Sequence, residues 1–351
     1  MNTDFWNNKK IKKLSPKKKY EIENLSLVVN SVCKNETTQF IDFGSGLGYL
    51  SQYLYDQFGY EVLGLDGSSS LVTNAKTRQE KDFPQSIGKV KYLQHFINES
   101  SSEFISNNYG SKDENLAIIG LHGCGDLTVT AMKLFFQIDT VKQLIFMPCC
   151  YHKMSTNDEN PTEFNNFPLS KKLKSKLEDY SCFLNRSFLR LAGQQSPTKW
   201  REMNVEEHWI HGKNMFERAL AEAMLGENES MKRVDNTCIH EGRVKFEDIT
   251  SKYDLTNNQN HSTIEWTAEH QDKFNKLRLD HINGEEQSEY LFCLQTMIQR
   301  LCENLVVIDR INFMQEQSKK LNLNIDIKVK KLSNDKLSPR CLIFIAEKVT
   351  N

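Results

Sequence analysis

Three short clusters in the sequence combine residue types that can do chemistry together. The first is Asp42-Phe43-Gly44-Ser45-Gly46-Leu47-Gly48, with Asp66 further on. Glycines at alternate positions let the backbone approach a ligand closely and aim helix N-terminal amides at it. Asp66 ends the next apolar run, a position from which a carboxylate can accept both hydroxyls of a ribose. A dinucleotide fingerprint, GxGxxG, would need a glycine where Tyr49 stands. The other open reading is a glycine turn with no ligand.

The second cluster is Leu121-His122-Gly123-Cys124-Gly125-Asp126-Leu127, and the third is Pro148-Cys149-Cys150-Tyr151-His152-Lys153-Met154. Tyr151 can pack on an acceptor, and His122 or His152 can orient it or take its proton. Asp126 can be catalytic or can cap the helix beginning near Leu127. The thiols of Cys124, Cys149 and Cys150 can line an acceptor pocket, bind zinc with His152, or pack as small buried groups. Adjacent cysteines point to opposite sides of an extended strand and no CxxC pair exists, so no metal is assigned.

Positioning these clusters requires a sheet. Gln39–Phe43, Glu61–Leu65, Val90–Leu93, Leu116–Leu121 and Gln143–Met147 read as short buried strands. Helical patterns at Leu50–Phe58, Leu71–Lys81 and Leu127–Phe136 alternate with them, which predicts parallel crossovers in an α/β fold. All three clusters follow strand ends, where open α/β sheets bind ligands. From about 170 to 310 the chain reads as mainly helical, with an Asn-rich loop at Thr256–Ser262. Ile325–Lys331 and Cys341–Ala346 predict an antiparallel hairpin. Trp200, Trp209 and Phe216 read as core; His208, His211, His240 and His281 read as surface or core residues.

The 351 residues carry 45 basic and 46 acidic side chains, a net charge of -1. That balance excludes a protein that coats nucleic acid by bulk charge, but not a local basic patch. Residues 1–19 hold seven lysines and one acid, Asp4. They read as a solvated tail or a phosphate-contacting arm. No run of 18 apolar residues predicts a membrane span, and no apolar signal core predicts secretion. Nine scattered cysteines read as reduced thiols, so an intracellular location, cytoplasmic or nuclear, is expected.

With these motifs the chain resembles the methyltransferase-like protein 25 family. The matching stretches also include Leu14–Glu21, Phe167–Ser170, Phe216–Leu220, Ile308–Arg310 and Ser338–Arg340. The resemblance implies a Rossmann-like class I methyltransferase: a mostly parallel seven-stranded sheet with an antiparallel C-terminal hairpin and a helical insertion. It implies S-adenosyl-L-methionine as cofactor, on Asp42, Gly44, Ser45, Gly46, Gly48, Asp66, Gly67 and Cys124. His122, Asp126, Tyr151 and His152 are the candidate catalytic residues. Pro148 stands where other members usually carry glycine. The expected organisation is a basic tail at 1–20, a first methyltransferase segment at 21–154, an insertion at 155–304, and a completing helix and hairpin at 305–351. One member is labelled an adenine dimethylase, yet His122–Asp126 lacks the Asn/Asp-Pro-Pro-Tyr/Phe such enzymes carry. The arrangement is similar to that of tRNA ribose 2′-O-methyltransferases. That favours RNA, at a ribose hydroxyl, as acceptor; a protein substrate and a non-catalytic scaffold are the other readings.

Overall fold

The structure, a computed structural model, describes residues 5, 14–34, 39–109, 115–177, 183–193, 197–238, 242–339 and 341–349. Most of the expected basic tail therefore lies outside the described residues. The chain divides into two compact units, Met1–Ser196 with Gln299–Asn351, and Pro197–Ile298.

In the first unit, helix α1 (Pro16–Cys33) starts where Ser15 Oγ accepts from Lys18 N and Pro16 pre-sets the first turn. Five strands then alternate with four helices: β1 (Gln39–Phe43), α2 (Tyr49–Phe58), β2 (Val62–Asp66), α3 (Ser69–Asp82), β3 (Val90–Gln94), α4 (Ser101–Asn108), β4 (Leu116–Gly123), α5 (Leu127–Gln137) and β5 (Val141–Pro148). β1 to β5 pair in parallel, with Phe43 opposite Leu65 and Asp42 opposite both Gly64 and Ile119. Two further strands close the seven-stranded sheet, in the order β3-β2-β1-β4-β5-β10-β9. They are β9 (Ile325–Lys331) and β10 (Leu342–Lys348), an antiparallel hairpin whose β10 lies against β5. This is the expected class I methyltransferase sheet. Strand order reverses between β1 and β4, so the crevice for a ligand opens at their carboxyl ends.

The sheet buries both faces. Leu25, Val29, Leu54, Ile119 and Ile343 belong to one apolar cluster; Ile118, Met132, Phe135, Phe146 and Phe344 belong to the other. Phe135 and Phe146 are fully buried, each contributing roughly 2–3 kcal/mol. The polar stretch after β5 packs here too. Tyr151, Met154, Phe167, Leu189 and Val306 form one cluster. Asp309 accepts from Leu169 N, Ser170 N and Ser170 Oγ at 2.7, 2.8 and 2.6 Å. Residues 155–177 and 183–193 therefore pack within the first unit, and the second compact unit begins at Pro197.

The second unit is not purely helical. It holds β6 (Glu229–Arg233), β7 (Tyr253–Asn257) and β8 (Thr263–Ile264) in one antiparallel sheet, and the Asn-rich stretch is the β7–β8 turn. The strands ESMKR and TI are too short and polar to produce a clear alternation. Around them lie α6 (Val205–Met224), capped by a reciprocal Asn204–Glu207 box, and α7 (Ala268–Asp280). Phe216, Leu220, Met224, Ile249 and Phe274 form the core. Helix α8 (Gly284–Leu321) is continuous. Among the described residues it alone contains an 18-residue window apolar and long enough to cross a membrane, by length and composition. It contains no unbroken apolar run, because such a window tolerates a few polar residues.

Candidate active site

The glycine turn is built by the ends of β1 and β2. Gly44 N and Ser45 N donate to Leu65 O at 2.8 and 3.1 Å. Gly44, Gly46 and Gly48 sit at φ of 71, 55 and 71°, the left-handed region open to glycine at little cost. Gly46 N donates to Asp66 Oδ2 and Ser68 N donates to Asp66 Oδ1, both at 2.9 Å. The carboxylate thus locks the turn and still faces the crevice. Asp42 is 2% exposed, and Ser51 Oγ donates to its Oδ2 at 2.7 Å. Burial pushes this carboxyl up to about 7; Ser51 opposes the shift and the charge of Asp66 adds to it. Ser45 Oγ is buried and has no hydrogen-bond partner.

Two cavities flank the turn, and Gly44 lines both. The larger, about 690 Å³, is walled by Asp66, Gly67, Phe96, Asn98, Cys124, Asp126, Leu127 and Lys153. The smaller, about 300 Å³, is walled by Lys18, Asp42, Ser45, Gly46, Tyr49 and His122. The larger has the size, the apolar wall and the carboxylate for a nucleoside. The smaller has a buried acid and turn amides for a small zwitterion.

His122 sits at φ 64° at an irregularity within β4, an uncommon conformation for a residue with a side chain. Its Nε2 lies 3.1 Å from Oε2 of Glu21, a side chain wholly buried on α1. Ser338 Oγ donates to the other oxygen at 2.7 Å. Burial raises the Glu21 carboxyl, but His122, Ser338 and Lys17 together hold it below the usual value. Nearby, Cys124 Sγ lies 3.0 Å from Cys149 Sγ, which lies 3.5 Å from Cys150 Sγ. The hydrogen bond from Cys149 draws the Cys124 thiol down to about 5 and pushes Cys149 up.

Residues 17–157 match the methyltransferase domain family. Over 76 residues, 21% of this chain, it is 34% identical to probable methyltransferase-like protein 25 of Homo sapiens and 37% identical to that of Mus musculus. The match spans 13% of the length of these relatives. Among solved structures, it is similar to an SAM-dependent methyltransferase from Thiobacillus denitrificans in complex with S-adenosyl-L-homocysteine. The identity is 16% and the TM-score 0.28, covering 42% of this chain and 55% of that one.

Within the matched stretch, the expected residues divide by position. Asp42, Gly44, Ser45, Gly46, Asp66, Gly67, Cys124, His122 and Asp126 all line one of the two cavities. Gly48 lines neither: it precedes α2 and packs on Tyr92, whose hydroxyl would lie 2.1 Å from an added Cβ. Tyr151 is 2% exposed in the apolar cluster, with the Arg310 guanidinium 5.0 Å from its ring centroid. It cannot stack on an acceptor there. His152 lines neither cavity, and its carbonyl accepts from Arg186. Asp126 makes no side-chain cap. It accepts instead from Ser155 N and Asn166 Nδ2, each at 2.8 Å, pinning the polar loop over the larger cavity.

Several site residues escaped sequence reasoning. Phe96, Ile97, Asn98 and Glu99 wall the larger cavity from the loop after β3, and Lys153 from the loop after β5. The rule that ligands sit beyond strand ends could have found the β3 loop. Lys18 walls the smaller cavity from α1, far in sequence from the glycine turn, and no local signal marks it. The expectation that adjacent cysteines diverge fails because the chain leaves the strand at Pro148. With Cys150 at φ -96° and ψ 70°, entering a 3-10 turn, both thiols reach one side.

Proposed function

We propose that the protein is an S-adenosyl-L-methionine-dependent methyltransferase that methylates RNA, at a ribose hydroxyl in preference to a base amine. The observation that carries the cofactor reading is the pair of cavities that share Gly44 as a wall. Asp66 would hold the ribose and the walls at Gly67, Phe96 and Leu127 the base. Asp42, Ser45 and Gly46 would face the aminoacyl end. Fit is supported by two features of the wall itself: the orphaned, buried Ser45 Oγ, and a carboxyl at Asp42 that only a cationic group would ionise readily.

When bound, the cofactor supplies a methyl group on a sulfonium, open to in-line attack. The protein contributes alignment and exclusion of water. His122 is the base in reach of the smaller cavity. Glu21 orients its ring and would stabilise it once it has taken the acceptor's proton, in the manner of a carboxylate behind a catalytic histidine. A hydroxyl acceptor needs such a base, whereas a neutral amine needs little deprotonation beforehand. This supports the ribose reading. Lys17, Lys18 and Lys19 on α1 and Lys153 at the larger cavity support a polyanionic acceptor.

The test is tritiated-methyl transfer from S-adenosyl-L-methionine into fractionated RNA and protein from cells lacking the gene. Label in RNA that is stable to base deamination but resists alkaline cleavage of the adjoining linkage marks a 2′-O-methyl product. Label confined to protein would end the RNA reading. Calorimetry gives the prior step: wild type binds the cofactor, and Asp66→Ala binds it at least tenfold more weakly. Binding with no transfer to any fraction would favour a scaffold.

A further inference from the structure

We propose that Cys124, Cys149 and Cys150 hold one thiophilic divalent cation, zinc by type, through three thiolates, with the fourth position open to water or a cavity ligand. All three Sγ atoms lie within 4.8 Å of one another. Two of the separations are 3.0 and 3.5 Å. A tetrahedral zinc with bonds of about 2.3 Å spaces its sulfurs about 3.8 Å apart. Small side-chain adjustments therefore suffice to seat the ion. His152, the fourth ligand that spacing alone would suggest, lies outside this group.

The backbone already fixes the arrangement without an ion. Gly125 N donates to Cys150 O at 3.2 Å and ties the β4 loop to the β5 loop. Gly125 sits at φ 57°, and a Cβ there would lie 2.7 Å from Lys153 O. The close approach that brings Cys124 to Cys149 thus depends on this glycine. Cys149 is 2% exposed, while Cys124 lines the larger cavity, so the ion would sit in the cavity wall. Packing alone would not require three thiols to point at one spot.

Charge supports the same site. Three thiolates and a divalent cation leave one net negative charge. Arg310 is 3% exposed, one of its Nη atoms has no hydrogen-bond partner, and it lies within electrostatic reach of Cys149. Lys153 stands at the cavity wall. Seating the metal displaces to solvent whatever protons the thiols still hold, so no oxidant or reductant is involved. The proposal does not depend on the methyl-donor reading, because metal content is measured without the donor.

The experiment uses the full chain, expressed with zinc and purified anaerobically under reducing conditions. Elemental analysis should find about one zinc per chain. Cobalt(II) exchanged into the protein should give sulfur-to-metal charge-transfer absorption in the near ultraviolet. Cys124→Ser, Cys149→Ser and Cys150→Ser should each abolish or strongly reduce that band. Cys238→Ser, at an exposed thiol, and Cys293→Ser should leave it unchanged. If the cluster variants do not fold, mercurial titration of wild type decides: the metal should leave as three thiols react. Metal-free wild type with no charge-transfer band would overturn the proposal. So would a band that survives Cys149→Ser, or a Cys124–Cys149 disulfide in the reduced protein. Loss of cofactor binding with metal retained would count against the methyl-donor reading only.

Discussion

At the scale of single residues, the proposed cofactor site would make ligand binding proton-linked through Asp42. Its carboxyl is raised from 3.8 to about 7 in the folded protein. A raised acid costs the unliganded fold stability as pH climbs from about 4 to 7, because only the unfolded chain ionises freely there. A cationic ligand reverses the preference and draws the proton off. Affinity for S-adenosyl-L-methionine should therefore rise by up to about tenfold per pH unit below 7 and level off above it. Calorimetry in buffers of different ionisation heat should detect proton release at pH 6 and little at pH 8.5. Asp42→Asn should bind weakly with a flat profile and melt at a higher temperature than wild type at pH 8. A pH-independent wild type would remove the linkage. In the proposed mechanism Glu21 would act one step back, as a positioning residue behind His122. Glu21→Gln should lower kcat about 10–100-fold while KM for the cofactor changes little. A loss of stability with kcat unchanged would assign Glu21 a purely structural role.

At the scale of elements, the glycine turn separates conformational strain from packing. Gly46 and Gly48 both sit at positive φ, but an added Cβ meets nothing within 4 Å at Gly46 and meets Tyr92 at Gly48. Gly46→Ala should cost only the left-handed strain, about 1–2 kcal/mol. Gly48→Ala adds overpacking of a buried ring and should cost about 2–4 kcal/mol. Denaturant melts of the two variants measure the difference, and equal losses would contradict the packing role of Tyr92. The strand–turn–helix grammar that marks this turn was legible because β1 and β2 are buried on both faces and read as continuous apolar runs. The same grammar located β3 through β5 and the C-terminal hairpin. It did not reveal β6, β7 or β8, short strands with few buried apolar residues. Nor could it reveal the clamp of Asp309 on Leu169 and Ser170, which joins residues 139 and 140 positions apart. The cluster thiols were visible one by one, but their convergence depends on where the chain leaves β5. That is a tertiary fact with no periodic signature.

At the scale of the whole molecule, the two compact units carry different electrostatic loads, and acid should tell them apart. In the Pro197–Ile298 unit, Glu289 accepts from Trp200 Nε1 at 2.6 Å and meets Nδ1 of His208 and of His211 at 2.5 Å each. His208 and His211, which lacked any evident pairing in sequence, share this one carboxylate from successive turns of α6. Burial alone would raise Glu289, but the two histidines and the tryptophan hold it below its usual value of 4.5. A depressed acid contributes stability that is present above its unfolded value and lost as pH falls through the folded one. The contribution should therefore be present above the usual value of 4.5 and be lost only as pH falls below it. Removing the carboxylate leaves the donors partly buried without their acceptor, a loss of about 1–3 kcal/mol at neutral pH. Trp200, Trp209 and Trp266 lie in this unit and only Trp6 lies outside it. Tryptophan fluorescence therefore follows the second unit, while cofactor binding follows the first. In wild type, the fluorescence transition on acidification should fall below pH 4.5. In Glu289→Gln the protein should melt earlier at pH 7 and lose that acid dependence. Should the variant acidify with the wild-type midpoint, the histidine-bracketed carboxylate is not what couples this unit to pH.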